Sequence, residues 1–151
     1  MKNIDIWDLL ENERKRDSVG LFGIPVKEDN IIQEAQQILG LAFTNSYIEF
    51  LKKFGGYMGD GHIVYGLIPL CEKGYLSETI IEKTNFFKEY QKWPNIESWY
   101  VISDDGSGNP IGIDPEGKVW LSDHDAGFEQ IKLADSFEEF LYKLHTETLY
   151  E

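Results

Sequence analysis

The strongest constraint on the fold lies between residues 99 and 123, where short β-rich runs alternate with tight turns. The runs are WYVI at 99–102, IGI at 111–113 and VWL at 119–121, and the links are DDGSGN at 104–109 and DPEG at 114–117. Parallel neighbours need a crossover of a dozen or more residues, whereas links this short join antiparallel strands. The segment therefore predicts a three-stranded antiparallel meander, and residues 129–133 are a candidate for a fourth strand.

Helical periodicity flanks this meander in the sequence. The clearest helix has an apolar stripe at i, i+3, i+4 and i+7, formed by Tyr47, Phe50, Leu51 and Phe54. Thr44 or Asn45 is its predicted cap, and Gly55-Gly56 is its predicted stop. Further helices are predicted near residues 6–16, from about Asp29 to Gly40, from Ser77 to about Gln91, and from a cap at Ser136.

The order of these elements predicts the fold class. Two short runs around Asp60-Gly61 are typical of a hairpin, so strands occupy the middle of the chain and helices its two ends. This order favours an α+β fold with a single, mainly antiparallel sheet flanked by helices over repeated βαβ units. We predict one domain over residues 1–151, in which 1–26 form an N-terminal helix and connecting loop and 27–151 form the core.

Composition points to a globular protein inside the cell. The chain has 151 residues, of which 42% are hydrophobic and 14% aromatic, which is ample material for a core. Its single cysteine, Cys71, excludes an internal disulfide, and its longest nearly apolar stretch, 65–71, is far too short to cross a bilayer. The first residues lack the uninterrupted apolar segment of a signal peptide. We therefore expect a cytoplasmic location.

The net charge of −13 restricts the classes of partner. Residues 95–151 carry 13 acidic and only three basic residues, so most of the excess lies in the C-terminal part. Nucleic acids and anionic membranes are excluded as expected partners, because both are bound through Lys and Arg. A basic protein partner is allowed, although such charge also serves solubility.

No residue pattern predicts catalysis or a bound ion. His62, His124 and His145 lack zinc-ligand spacing, and Pro110 stands where a calcium loop over 105–116 would need glycine. The best local cluster is Asp123-His124-Asp125, but strand alternation would place the histidine on the face opposite the aspartates. We therefore predict a protein that is not an enzyme and needs no cofactor or metal.

Two stretches together resemble the SUKH superfamily, which includes the yeast cell-wall synthesis regulator and many bacterial immunity proteins. ILGLAFTNSYIEFLKKFGG at 38–56 resembles the family's LG..LP.SY..FL...NGG segment. ISDDGSGN at 102–109, Ile113-Asp114 and VWLSDHD at 119–125 resemble its I..DG.GN…D strand pair and the VY.WDHE strand that follows. The usual proline is replaced by Phe43 or its neighbour, and the asparagine of NGG by Phe54 or Gly55, yet both changes keep a helix start and a glycine stop.

The resemblance implies an α+β fold and, in bacteria, an immunity protein that binds and blocks a toxin domain, often a nuclease. It carries no catalytic residues; Gly106 and Gly108 would form a turn, and Trp120 would pack. A cytoplasmic immunity protein against a basic nuclease also agrees with the acidity, because an acidic inhibitor mimics the phosphate backbone. The alternative is an intracellular scaffold or regulatory adaptor, as in the eukaryotic branch, and the neighbouring gene would distinguish the two.

The meander also predicts where the acidic residues gather. Successive links of a meander alternate between opposite ends of the sheet, so 104–109 and 123–125 share one end and 114–117 lies at the other. Asp104, Asp105, Asp123 and Asp125 are therefore the candidate partner-binding residues, and Asp114 and Glu116 lie opposite them. Turn formation and solubility are the competing explanation for these acids.

Overall fold

The α+β class is confirmed by a computed structural model, which describes residues 5–17, 19–69 and 78–151. Its helices are α1 (Ile6–Arg16), α2 (Asp29–Leu39), α3 (Asn45–Lys53), α4 (Ile80–Asn85), a π-helix (Phe86–Tyr90) and α5 (Phe137–His145). Its strands are β1 (Tyr57–Gly59), β2 (His62–Val64), β3 (Tyr100–Asp104), β4 (Pro110–Ile113), β5 (Val119–Asp123) and β6 (Glu129–Ala134). A single 3-10 turn, His124–Ala126, links β5 to β6.

The predicted meander forms the main sheet. It contains four antiparallel strands in the order β3-β4-β5-β6, and Gly112 of β4 lies opposite Trp120 of β5. The sheet was expected to be single, but β1 and β2 form a separate antiparallel hairpin around the Asp60-Gly61 turn. A backbone hydrogen bond of 2.8 Å from Tyr65 N–H to Ile102 O joins the hairpin to β3. The two sheets therefore lie side by side around one core.

The apolar stripe of α3 lies at the centre of the core, as its spacing predicts. Tyr47, Phe50, Leu51 and Phe54 are each at most 1% exposed. The Thr44 side chain caps the helix by accepting a hydrogen bond from Tyr47 N–H at 3.2 Å. At the other end Gly55 has φ +75°, and a Cβ there would meet Ile24 O at 2.0 Å. Glycine is required by both observations.

The terminal helices cover the same core. Ile6 and Leu10 of α1 are buried in it together with Phe137 and Phe140 of α5. Ser136 caps α5 as predicted, accepting from Glu139 N–H at 3.1 Å. Helix α1 thus packs on the same core as α5.

A second, smaller cluster covers the other face of the main sheet. Phe87, Ile96, Trp99 and Val101 are buried there, and Trp93 and Trp120 pack against them. Gly112 permits this packing, because a Cβ at that position would lie 2.8 Å from the Trp99 ring. With both faces covered, the first four residues of β3 are all buried.

The segment before Pro94 differs from the prediction of one long α-helix. Thr79 is the cap, in a reciprocal capping box with Glu82, and the α-helix ends at Asn85 before a π-helical turn. Ser77, the predicted start, lies outside the described residues, as does Cys71. The π-turn begins after Thr84, whose Oγ1 accepts a 2.8 Å hydrogen bond from Val101 N–H. This bond attaches the end of α4 to β3 just before the π-turn begins.

In the described part of the chain, no helix has the length and apolar character needed to cross a bilayer. The longest, α1 and α2, have 11 residues each.

Candidate partner-binding surface

One end of the main sheet gathers the β3–β4 turn and the turn after β5. Asn109, which is 2% exposed, lies between them and uses its amide as a bridge. Its Nδ2 donates to Asp105 Oδ2 at 2.9 Å and to Asp123 Oδ1 at 3.4 Å, and its Oδ1 accepts from His124 N–H at 3.0 Å. The structure thus brings Asp105 and Asp123 to the same rim, as the alternation of links predicts.

Asp105 has a structural role in its own turn. Its Oδ1 accepts backbone N–H bonds from Ser107 and Asn109, both at 2.9 Å. This is the Asx-turn arrangement by which an aspartate replaces a missing backbone partner. The carboxylate is still half-buried rather than enclosed, so its charge contributes to the field outside the rim.

Asp104 turns away from the other three aspartates. Its Oδ2 accepts a 2.7 Å hydrogen bond from the Tyr65 hydroxyl and lies 3.4 Å from Lys83 Nζ. Burial raises the pKa of the Tyr65 hydroxyl, and the hydrogen bond to Asp104 and its charge raise it further. Among the described pairs, Asp104 is the one rim aspartate that meets a lysine, so its charge is largely compensated.

Asp123 and Asp125 bracket a sharp change of backbone direction. Strand β5 ends at Asp123, whose Oδ1 accepts from Asp125 N–H at 3.0 Å and starts the 3-10 turn. The expectation that strand alternation separates His124 from the aspartates is therefore wrong, because residues 124–126 are not a strand. Ligand atoms of the three side chains lie within 4.8 Å of one another. His124 Nδ1 contacts Asn109 Oδ1, and its Nε2 lies 3.3 Å from Asp125 Oδ1, so neighbouring side chains account for this grouping.

The opposite end of the sheet holds Asp114 and Glu116. Asp114 Oδ1 accepts from the N–H groups of Glu116 and Lys118, and its Oδ2 accepts from Trp120 Nε1 at 2.9 Å. The Glu116 side chain is 77% exposed and lies 3.5 Å from Lys118 Nζ. This end therefore holds one structural aspartate and one exposed, paired glutamate.

The sequence analysis missed a connected series of aromatic rings beside the acidic rim. Successive centroids are 5.1 to 5.6 Å apart from Tyr90 through Phe86, Phe87 and Trp93 to Phe128. Tyr90 is 78% exposed, and Phe86 and Phe128 are each 38% exposed. The available signal was the run of aromatic residues at 86, 87, 90 and 93, which the prediction of one helix from Ser77 to about Gln91 did not use. Exposed aromatic groups of this kind are enriched at protein–protein interfaces.

A cleft of about 350 Å³ lies between this aromatic series and the acidic rim. It is lined by Gln91, Lys92, Trp93, Pro94, Gly108, His124 and Phe128. Lys92 and Phe128, which line it, and nearby Asn95 have φ values of +54°, +65° and +63°. Positive φ is uncommon for side chains other than glycine, above all for a bulky ring, and such strain clusters at functional sites.

The structure is an α+β domain in which acidic residues and exposed aromatic rings gather at one end of a meander. The model of the SMI1/KNR4 family (SUKH-1) matches residues 25–143, which is most of the chain. The protein belongs to this family, and the resemblance to the SUKH superfamily is confirmed. No curated protein matches the chain in a sequence comparison.

Proposed function

We propose that the protein is a non-enzymatic immunity protein, which binds and neutralises a toxin domain encoded beside it. The SUKH superfamily, to which the chain belongs, includes immunity proteins, and this membership supports the proposal. The partner is a basic nuclease domain, and binding takes place in the cytoplasm, where such a toxin would meet nucleic acid.

The observation that carries this proposal is the unpaired negative charge of the rim. Lys83 pairs with Asp104, whereas no lysine or arginine of the described residues pairs with Asp105, Asp123 or Asp125. If these carboxylates only formed turns, a lysine or arginine beside them would not disturb that role. Three of them held together without one produce a local negative potential that attracts a basic surface.

A nuclease supplies the complementary surface, because it binds a phosphate backbone through Lys and Arg. An acidic rim that occupies this surface competes directly with the nucleic acid. The same charges accelerate the encounter between inhibitor and toxin, which matters when a few uninhibited molecules are lethal. The rim would therefore explain both fast association with the toxin and competition with its nucleic acid, and neither effect needs a catalytic group.

The direct test is co-expression with the toxin domain encoded by the neighbouring gene. We expect the protein to restore growth of cells that produce this domain, and to elute with it as one complex in size-exclusion chromatography. A toxin domain that still kills, or an isolated gene whose product binds endogenous regulatory proteins, would favour the adaptor alternative instead.

The rim is tested by replacing the four aspartates at 104, 105, 123 and 125 with asparagine. If the rim is the interface, the folded variant should lose at least about 2 kcal/mol of binding free energy, together with most of the salt dependence of association. Circular dichroism and thermal melting determine whether the variant is folded. A folded variant that binds as tightly as the native protein would move the interface to another face.

A further inference from the structure

We propose that the aromatic cleft beside the rim receives an arginine side chain of the protein partner. This inference rests on the proposed function only for the identity of the partner. The cleft itself is defined by Trp93, His124 and Phe128, and the acidic rim adjoins it. The proposal gives these three residues, in addition to the four rim aspartates, a role in binding the partner.

The rings of the cleft are arranged for a planar cation. The Trp93 ring stands at 87° to Phe128 and at 80° to His124, with centroids 5.3 and 5.9 Å away. Because the Trp93 plane is nearly perpendicular to the other two, these rings form a corner that lines the cleft with ring planes of more than one orientation. A guanidinium stacks on aromatic faces and is more weakly hydrated than an ammonium group, so it loses less on entering such a corner.

The corner is held in place before any partner arrives. Trp93 Nε1–H donates to Ser122 Oγ at 2.8 Å, its backbone N–H donates to Phe87 O at 2.9 Å, and its ring packs edge-on against Phe87. Gln130 of β6 donates a 2.6 Å hydrogen bond from its Nε2 to the carbonyl oxygen of Asn95, which holds the loop after Trp93 against the sheet. A preorganised cleft loses little conformational entropy on binding, which is the usual property of an interface anchor.

Charge selects the sign of the occupant. His124 lines the cleft, and Asp125 Oδ1 lies 3.3 Å from its Nε2, while Asp123 is the preceding residue. Lys92 is the one lysine or arginine of the lining, and it is exposed to solvent. A carboxylate in the cleft would face the rim aspartates, whereas a guanidinium would bring its charge towards them. Arginine combines this charge with the stacking surface, and it is enriched at interface hot spots.

Short peptides test the cleft without any toxin. The probes are Ac-Gly-Arg-Gly-amide and the same peptide with lysine, norleucine or glutamate in the central position, titrated to tens of millimolar. Binding is followed by NMR at the Trp93 indole N–H, which the Trp93→Phe variant assigns. We expect saturable shifts with the arginine peptide, binding at least about threefold weaker with lysine, and no saturation with norleucine or glutamate. Equal binding of norleucine would mark the cleft as a site for apolar side chains and overturn the proposal, as would preference for glutamate or no binding at all.

A matched pair of variants shows whether the rings are responsible. Phe128 and Tyr142 are both 38% exposed, but only Phe128 lines the cleft. Phe128→Leu should weaken the arginine peptide about fivefold or more, while Tyr142→Leu should leave it unchanged. Equal effects of the two variants would contradict the assignment.

A second arm separates this inference from the proposed function. Affinity for the neighbouring toxin domain is measured for the native protein, Phe128→Leu and Tyr142→Leu. If the toxin is neutralised and Phe128→Leu binds it as tightly as Tyr142→Leu does, the anchoring role is wrong and the immunity function stands. If the toxin is not neutralised while the arginine peptide binds in the cleft, the immunity function fails and the arginine site stands with a different partner.

Discussion

The indole N–H of Trp93 donates a 2.8 Å hydrogen bond to Oγ of Ser122, a residue of β5 with no exposed surface. This bond joins the loop after the π-helix to the strand that ends at the acidic rim. The position of the aromatic cleft relative to the rim therefore depends on two side chains 29 positions apart in sequence.

Ser122→Ala is the most direct test of that bond. The indole N–H of the half-buried Trp93 would lose its protein partner, so we expect a loss of about 1–2 kcal/mol in the free energy of unfolding. The Trp93 indole resonance should also move towards its solvent-exposed position. Ser107→Ala, at an exposed serine of the β3–β4 turn, is the control and should change stability by less than about 0.5 kcal/mol.

The rim aspartates should differ sharply in their contribution to folding. Asp105 accepts two backbone N–H bonds and one from Asn109 Nδ2, and an asparagine there would set one NH₂ group against another. We expect Asp105→Asn to cost about 1–3 kcal/mol in urea denaturation. Asp125→Asn, at a side chain that is 77% exposed, should stay within about 0.5 kcal/mol of the native value. Equal stabilities would show that the hydrogen bond from Asn109 Nδ2 to Asp105 Oδ2 contributes nothing to folding.

Strand counting was enough to predict which acids meet. Because the links of a meander alternate, Asp105 and Asp123 had to share one end and Asp114 the other, and Asn109 now bridges the first two. Counting could not show which way a side chain turns within its rim. Asp104, the last residue of β3, turns towards Lys83 of α4, and sequence alone does not place Lys83 there.

The cleft could not be predicted because it depends on packing between distant segments. A helical pattern continues through 86–90, but the backbone there is π-helical, and Gln91 N–H bonds to Phe86 O five residues back. No local residue signals this change. Phe87 is buried in one cluster with Ile96, from the loop before β3, and Val101 of β3. The extra residue in the turn rotates Phe86 and Tyr90 outward.

The α3 stripe gives the clearest core prediction. Phe50 has no exposed surface and packs edge-on against Phe137, with centroids 5.2 Å apart. Phe50→Ala should therefore lower the free energy of unfolding by about 3–5 kcal/mol. Ile38→Ala on α2, at a side chain that is 56% exposed, is the control and should cost well under about 1 kcal/mol. A loss below about 1 kcal/mol for Phe50→Ala would mean that α3 is not the centre of the core.

Stability should decline in alkaline solution because of buried tyrosines. Burial raises the pKa of the Tyr57 hydroxyl, and the charge of Glu13 and a hydrogen bond to it raise the pKa further. The folded state therefore keeps a proton that the unfolded state releases above about pH 10, so stability is full below that pH and falls as pH rises. Tyr57→Phe should flatten this decline, and Glu13→Gln should flatten it in part. Urea denaturation between pH 8 and 11 measures the slopes, and identical slopes in all three proteins would contradict this origin.

The last prediction separates the rim from the general acidity of the protein. Asp125 and Glu116 have side chains that are each 77% exposed, but they lie at opposite ends of the main sheet. Asp125→Asn and Glu116→Gln remove the same charge, so any difference between them reports position rather than net charge. We expect Asp125→Asn to slow association with the toxin domain about threefold at low salt, because a charge at the edge of an interface acts mainly on the association rate. Glu116→Gln should have little effect. The difference in association rate between the two variants should vanish near 0.5 M salt, where screening shortens the range of electrostatic interactions. Stopped-flow association at two salt concentrations measures both variants. Equal slowing would assign the effect to the overall field of the protein, and a greater effect of Glu116→Gln would place the interface at the other end of the sheet.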